Sequence, residues 1–464
     1  MALEMNLYLP LILSALMPII LLYFISLIHK NNNNGSYFGK KKKKKILPPG
    51  EMGLPWIGET LEFYRAQKKN RIFEEFIQPR TAKHGAIFKT RLMGSPTVLL
   101  MGRNSIMEKQ GDRHRSIRAV IATSLNSAGL EKLVPKLCSS VEDHLKTHWV
   151  GKDTLSLYRS TKLLTFSVVF ECLLGIKVED GMLEMFERVL EGVFAPPVEF
   201  PGSKFWRAKR ARTQIEKMLV EIVRKRKNEM ELEQNIKGGG GEEDGMLLSR
   251  LIASLIRGEI SEEEVVDNVV LLVFAAHDTT SFAIAMVCRA LAHHPNCYQH
   301  LLQEHVEITG SKKPGETLTL DDTQKMKYTW QVTRESMRLF PPIFGSFRKA
   351  IVDIDYQGFT IPKGWKILWT TYGTHLDEDI FKDPLSFDPS RFEEPVPPYV
   401  YVPFGGGPRM CAGYQLARLN ILVFMHFLGT RFDWSLVHPD EPITMDPLPF
   451  PCYGMPINIS PKTS

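Results

Sequence analysis

A stretch of about 32 residues between Ser261 and Pro295 constrains this chain most, because it has no proline and its centre, VVLLVFAAHDTTSFAIAM, is apolar almost all round. Ser261 and Glu264 have the spacing of a capping box, which predicts that a helix begins here. At 1.5 Å per residue, that helix would be about 48 Å long. A helix that is apolar on every side has to run through the middle of a core, so we expect a large helical body around it.

The rest of the pattern is helical from about residue 105 to residue 340. The segments APPVEFPGS (residues 195–203) and KGGGGEEDG (residues 237–245) interrupt it, and the second has the composition of a solvated, flexible loop. No internal repeat is present.

Short strands are expected near both ends of the chain. Residues 86–92 and 97–101 form a predicted hairpin around Gly-Ser-Pro, and residues 360–369 favour further short strands. The proline-rich tail from residue 442 is expected to be irregular. The predicted fold class is therefore mainly α, as one large α+β domain.

Cysteine content and charge exclude several classes of protein. Of the six cysteines only Cys288 and Cys297 are close in sequence, so neither a disulfide framework nor a zinc cluster is indicated, and a reducing compartment fits. The net charge of +6 comes from residues 1–50, which leaves residues 51–464 formally neutral. Without a basic face on the folded body, the composition predicts no nucleic-acid partner.

The first 30 residues favour a membrane anchor. Leu7 to Ile28 is an uncharged stretch of about 22 residues, long enough to span a bilayer as a helix. A cleaved signal peptide is the alternative, but Glu4 near the start and the length of the apolar segment argue against it.

The basic run after the anchor sets its orientation. Lys30 and Lys40 to Lys45 follow the apolar stretch, so the positive-inside rule places the body in the cytosol. These lysines resemble a nuclear signal, although beside a membrane helix we expect them to contact lipid headgroups. The predicted organisation is an anchor (residues 1–30), a basic and proline-rich linker (31–50) and the main domain (51–464).

Asp278 and Thr279 interrupt the apolar centre of the long helix. A buried carboxylate is unfavourable unless it has a partner, which indicates either a functional acid or a structural ion pair. Thr279 in turn could simply donate to the carbonyl one turn earlier.

Three further stretches carry charged residues at suggestive spacings. Glu335 and Arg338 lie at i and i+3 on one helix, a spacing typical of a surface ion pair. Arg391 lies in a loop ahead of several glycines. His114 and Arg118 lie at i and i+4.

The segment PFGGGPRMCAG places Cys411 behind three glycines near the carboxyl end. Taken alone, such a cysteine is most simply a small buried apolar side chain. The order of all these motifs, however, resembles the cytochrome P-450 family of haem-thiolate monooxygenases, from the anchor to the end of the chain. The residues that fill the family's cysteine motif are Phe404, Gly407, Arg409, Cys411 and Gly413.

The resemblance implies the cytochrome P450 fold, a large helical domain with a minor β-sheet region behind an N-terminal transmembrane helix. It implies haem b as the cofactor, with Cys411 as the axial ligand to iron and Glu335, Arg338 and Arg391 as a buried triad that braces the cysteine loop. The further haem-binding residues implied are Arg409, His114, Arg118, Arg348, Phe404, Gly405 and Gly413.

On the opposite haem face, the resemblance assigns Asp278 and Thr279 to relay protons to iron-bound dioxygen. Ala276 replaces the family's usual glycine, and His277 is more simply structural than an iron ligand. Because the sequence has no flavin or nicotinamide motif, the resemblance implies an NADPH-cytochrome reductase as partner, at the endoplasmic reticulum membrane, with a single span.

The substrate implied is a large hydrophobic small molecule. Ala275, Ile343, Phe344 and Phe450 would line its pocket, although ordinary core packing explains each of them equally well. The chain resembles plant enzymes of terpenoid and sterol metabolism, with triterpene oxidases and taxane hydroxylases nearest.

One feature departs from the family. A few dozen residues that normally form a lid over the substrate are missing near residues 102–106. A shortened, catalytically impaired haem-binding membrane protein is therefore an alternative to the working monooxygenase. An isomerase that needs no reductase is a third reading.

Overall fold

The computed structural model describes residues 47–52, 58–84, 88–90, 92, 111–193, 195, 199–237, 246–313, 315–446 and 448–462. The predicted membrane helix, the lysine run and the short connection at residues 102–106 lie outside these ranges. Most of the predicted hairpin over residues 86–101 and of the glycine-rich loop lies outside them too. The chain divides into a small unit that includes Asp353–Ile361 and a large unit of Pro48–Val352 and Pro362–Ser464.

Helices make up most of the large unit. In chain order they are α1 (Thr60–Lys68), α2 (Gln78–His84), α3 (Gly111–Ser124), α4 (Ser127–His148), α5 (Leu157–Ser167), α6 (Met182–Val193), α7 (Lys204–Lys237), α8 (Leu247–Ile256), α9 (Glu262–His293), α10 (Pro295–Gly310), α11 (Leu320–Lys325), α12 (Lys327–Leu339), α13 (Tyr372–His375) and α14 (Tyr414–Arg431). Phe73–Ile77 and Val168–Leu174 are π-helical turns, and Pro389–Phe392 and Gly407–Arg409 are 3-10 turns.

The long helix α9 begins and ends where the sequence predicts. Ser261 and Glu264 form the capping box, with the Ser261 N–H 2.9 Å from Glu264 Oε2 and the Glu264 N–H 3.1 Å from Ser261 Oγ. Within the described part of the chain, α9 is the one helix long and apolar enough to cross a bilayer. Most of that apolar stretch is buried against the rest of the protein, so α9 is the core helix that its all-round apolarity predicts.

Two hydrophobic clusters hold the large unit together. The main one surrounds α9 and includes the inward faces of α4, α5, α8 and α14. A smaller one joins α1 to the tail of the chain, and its buried members are Phe63, Ala66, Ile72, Phe76, Ile77 and Met445.

The described strands are short and antiparallel, as the sequence predicts for residues 360–369. In the large unit β1 (Thr154–Ser156), β9 (Pro456–Pro461) and β6 (Phe432–Leu436) form one sheet, β2 (Gly345–Lys349) pairs with β5 (Lys366–Thr370), and β7 (Ile443–Met445) pairs with β8 (Pro449–Pro451). The small unit is a hairpin of β3 (Ile354–Tyr356) and β4 (Phe359–Ile361).

The expectation of an irregular tail is wrong, because β7, β8 and β9 all lie after residue 442. Four of the tail's prolines occupy the first and last positions of β8 and β9, where a missing N–H is tolerated. Between them Ile457 and Ile459 are buried on alternate positions of β9, which is the ordinary pattern of a strand with one covered face.

Candidate active site

The cysteine loop leads into α14. Gly405 and Gly407 have φ angles of +70° and +65°, a backbone conformation that residues with a Cβ rarely adopt. The Cys411 N–H donates to the Phe404 carbonyl over 2.9 Å, which closes the loop. The Phe404 ring meets Tyr414 edge to face at 4.8 Å. The loop thus holds the Cys411 thiol shortly before the start of α14.

The Cys411 thiol keeps accessible surface, although protein surrounds it closely. Desolvation raises the pKa of this thiol overall, and a hydrogen bond from the Gly413 N–H and the charge of Arg118 offset part of that rise. A Cβ at Gly413 would lie 3.9 Å from Cys411 Sγ. The N–H donor and the nearby cation are the surroundings that a thiolate requires.

Three arginines and a histidine gather beside the loop. His114 and Arg118 lie one turn apart on α3, Arg348 lies on β2, and Arg409 precedes the cysteine. Burial together with the charges of Arg409 and Arg118 lowers the pKa of His114. Burial together with Arg348 and Arg118 lowers the pKa of Arg409. Cations that repel one another in a partly buried place are suited to bind an anion, and guanidinium groups match carboxylates in particular.

The predicted triad comes together in the interior. Glu335 and Arg338 are both fully buried and form two hydrogen bonds of 2.7 Å. Arg391 approaches the same carboxylate, with its Nε 3.4 Å from Glu335 Oε1. Arg338 also donates to the carbonyls of His375 and Pro384 over 2.8 and 2.6 Å.

His375, which sequence reasoning did not single out, connects this ion pair to the cysteine loop. Its carbonyl accepts from Arg338, and its Nε2 accepts from the Val402 N–H over 3.0 Å. The ring stacks on Tyr401 at 5.3 Å. Because Nε2 accepts a hydrogen bond and burial lowers the pKa of His375 to about 3, the ring is neutral. The one signal in the sequence is its position, between the triad's helix and Arg391.

Asp278 and Thr279 lie on α9 but have separate surroundings. Asp278 is buried, and its Oδ1 lies 2.9 Å from Lys162 Nζ on α5. Although desolvation raises its pKa, the charges of His277 and Lys162 lower it further, so the net shift is downward. Thr279 is partly exposed and donates to the Ala275 carbonyl over 2.7 Å. These are the ion pair and the backward hydrogen bond that the sequence left open as structural alternatives; nothing in the sequence pointed to Lys162.

The predicted pocket residues differ in their environments. Ala275 is exposed although α9 is buried along most of its length. Ile343 and Phe450 are half-buried. Phe344 packs against the smaller hydrophobic cluster, with its ring 6.0 Å from that of Phe63, so core packing accounts for this side chain.

Comparison with known proteins identifies the family. The sequence model of the family described as cytochrome P450 matches residues 101–459. The chain is 36% identical over 451 residues to the taxane 13-alpha-hydroxylase of Taxus cuspidata, covering 89% of this chain and 92% of that protein. It is 35% identical over 450 residues to the beta-amyrin 28-monooxygenase of Kalopanax septemlobus, with 89% and 92% covered. The retinoic acid-bound cyanobacterial CYP120A1 superposes with a TM-score of 0.79 at 29% identity, over 90% of this chain and all of that one.

The chain belongs to the cytochrome P450 family, and the fold expected from the resemblance is confirmed. It is a monooxygenase whose cofactor is haem bound by a cysteine thiolate. Enzymes of this family act on hydrophobic small molecules and receive electrons from redox partners. The residues present fit the cofactor, since a thiol with an N–H donor lies beside three arginines and a histidine that suit the two carboxylates of haem.

Proposed function

We propose that this enzyme hydroxylates or oxidises a large hydrophobic isoprenoid, namely a diterpene, triterpene or sterol. The names of the two plant relatives support this class, since taxanes and β-amyrin are both polycyclic isoprenoids. Exposed Ala275 on the core helix is a suitable wall for an apolar ligand. The single observation that carries the proposal is the Cys411 loop with its adjacent cations.

Cys411 would coordinate the haem iron, and the Gly413 N–H would donate to its sulfur. His114, Arg118, Arg348 and Arg409 would bind the haem carboxylates, which relieves the mutual repulsion of the three arginines. Bound haem supplies the chemistry that inserts one atom of O2 into a C–H bond. Thr279 would hold a proton at Oγ1, and Asp278 would supply protons from the buried side of α9.

The glutamate–arginine triad would act through structure and not through chemistry. Its charges are satisfied by one another and by backbone carbonyls. His375, which accepts a hydrogen bond from the Val402 N–H, would connect the triad to the segment that leads into the cysteine loop.

The electron donor proposed is an NADPH-cytochrome reductase at the endoplasmic reticulum membrane. Residues 1–30 would anchor the enzyme by a single span, with the lysines at 40–45 facing cytosolic lipid headgroups. Fractionation tests this: the full chain should stay in the membrane pellet after alkaline washing, and a chain without residues 1–30 should be released. Release of the full chain would contradict the anchor.

We also propose that the chain lacks a lid segment near residues 102–106. The alignment with the taxane hydroxylase runs over 451 residues but takes in 89% of the 464 present here, about 413, which leaves about 38 aligned positions without a counterpart. A count of that size supports a missing segment of a few dozen residues. It favours, as the second candidate function, a haem-binding protein with impaired catalysis.

The experiment is turnover in membranes that contain the full chain and a plant NADPH-cytochrome reductase. A panel of polycyclic isoprenoids, including taxadiene and β-amyrin, is supplied with labelled O2. The proposal predicts NADPH-dependent products that carry one labelled oxygen, and none with the Cys411→Ser variant. Haem retention without any product would favour the impaired protein, and products formed without NADPH would favour an isomerase.

A further inference from the structure

His277 lies in the protein interior, next to Asp278 on α9. It is fully buried, and its ring meets Phe166 edge to face at 5.6 Å. Its Nδ1 lies 2.8 Å from the Val273 carbonyl one turn earlier. Because a carbonyl can only accept, Nδ1 must carry a hydrogen.

The other ring nitrogen faces a carboxylate. His277 Nε2 lies 3.5 Å from Asp278 Oδ2. Both atoms are buried, and within the described part of the chain neither has any other hydrogen-bond partner. A bare nitrogen and a carboxylate oxygen are both acceptors, so burying them face to face is unfavourable. A proton between them removes this conflict.

The surrounding charges place that proton on the histidine. Lys162 Nζ lies 2.9 Å from Asp278 Oδ1 and 2.7 Å from Glu187 Oε1. Lys162 therefore holds the Asp278 carboxylate in an ion pair, which leaves the histidine as the partner that binds the shared proton. Desolvation raises the pKa of Asp278, but the charges of His277 and Lys162 lower it further, so the ionised form of this carboxyl is favoured.

The remaining titratable groups around this cluster lie farther from His277 along the chain of ion pairs. Tyr158 stays protonated, since burial and the charges of Asp278 and Glu187 raise its pKa well above the ordinary value. Arg159 bridges Glu184 and Glu187 at the half-exposed rim, and Arg188 lies near Glu184.

We propose that His277 is an imidazolium that shares its Nε2 proton with Asp278 Oδ2, as a buried proton-sharing pair. The ion pairs from Lys162 to Glu187 and Arg159 connect this pair to the surface, with Glu187 27% and Arg159 42% exposed. Its role rests on the proposed function: His277 would return a proton to Asp278 each time Asp278 donates one toward Thr279. His277 is then a positioning residue that acts through Asp278.

The test is 15N NMR of the full-length holoprotein labelled at histidine, with ferrous haem bound to carbon monoxide so that the sample is diamagnetic. His277 resonances are assigned by their loss in His277→Gln, which keeps a neutral donor toward Asp278. At pH 7.5 the proposal predicts two protonated ring nitrogens for His277. A bare Nε2 signal would overturn it.

An internal control is present in the same spectrum. His305 is equally buried, and burial lowers its pKa to about 3, so it should show one protonated and one bare nitrogen. Because no substrate or NADPH is used, this result is independent of turnover. A bare Nε2 in an active enzyme would contradict the proton-sharing pair but not the proposed function. An imidazolium in an inactive protein would contradict the proposed function but not the pair.

Discussion

Individual buried charges determine how well this protein tolerates substitution. Arg338 is fully buried, and it donates to the Glu335 carboxylate and to the backbone carbonyls of residues 375, 384 and 386. A buried ion pair of this kind adds little net stability, but removing one partner strands the other charge in a medium that cannot solvate it. The stability of the protein is therefore sensitive to substitution of either partner of the pair.

We expect Arg338→Ala to lower the free energy of unfolding by about 3–5 kcal/mol, because Glu335 would be left buried and charged. Arg226→Ala is the matched control, since Arg226 and Glu229 have the same i, i+3 spacing but are partly exposed. That control should cost no more than about 1 kcal/mol. Thermal unfolding followed by circular dichroism measures both, and equal losses would contradict the account.

Pairs of elements depend on close backbone contact at a few glycines. Gly345 begins β2, the strand that carries Arg348, and lies opposite Thr370 of β5. A Cβ at Gly345 would lie 2.1 Å from the Trp369 carbonyl oxygen. No side chain fits there without separating the two strands.

Gly345→Ala is therefore expected to displace β2 and with it Arg348, which weakens haem retention as well as stability. Gly373→Ala is the control, because a Cβ there meets only the Thr370 methyl group at an ordinary 3.5 Å. The haem content of the purified proteins, measured by absorbance, should fall in the first variant and not in the second. Equal haem content would show that β2 does not position the cation cluster.

Two histidines join α10 to α14 and make this contact sensitive to acid. The Nδ1 atoms of His305 and His426 lie 3.1 Å apart. Burial lowers the pKa of His305 to about 3 and that of His426 to about 4. Both side chains are therefore neutral in the folded protein near neutral pH.

Stability should fall as the pH drops below the unfolded-state value of 6.5. In that range the unfolded chain binds protons that the folded chain does not, at about 1.4 kcal/mol per pH unit for each histidine. The decline continues to about pH 4, where folded His426 takes up its proton. Urea unfolding between pH 7.5 and 4.5 should show a smaller slope for His426→Phe and an unchanged slope for exposed His438→Phe. A pH-independent midpoint in the unmodified protein would refute this.

At the scale of the whole molecule, the sequence was most informative where one physical requirement dominates. The capping box at Ser261 and the unbroken apolar stretch after it predicted α9, because a helix with no polar side has only the core available. The expectation of an irregular tail failed because proline density was read as a lack of strands, whereas the prolines occupy strand ends around buried Ile457 and Ile459.

Part of the candidate active site was also predictable from the sequence. The order of the motifs gave the positions of Glu335, Arg338, Arg391 and Cys411, because each has a recognisable neighbourhood in sequence. Lys162 and His375 could not be found this way, since their partners are more than 20 residues distant and only folding brings them together. The same applies to the burial of the Glu335–Arg338 pair, whose spacing alone also fits an exposed pair.

The most direct test of the account is the reduced, carbon-monoxide difference spectrum of the full chain in membranes. The central claim is that the Cys411 thiolate holds the haem even though, as proposed, a segment near residues 102–106 is missing. We predict a strongly red-shifted Soret band in the unmodified protein and in Cys452→Ser, an exposed cysteine elsewhere, and its loss in Cys411→Ser. An unshifted band or no haem in the unmodified protein, or a red shift that survives in Cys411→Ser, would contradict that claim.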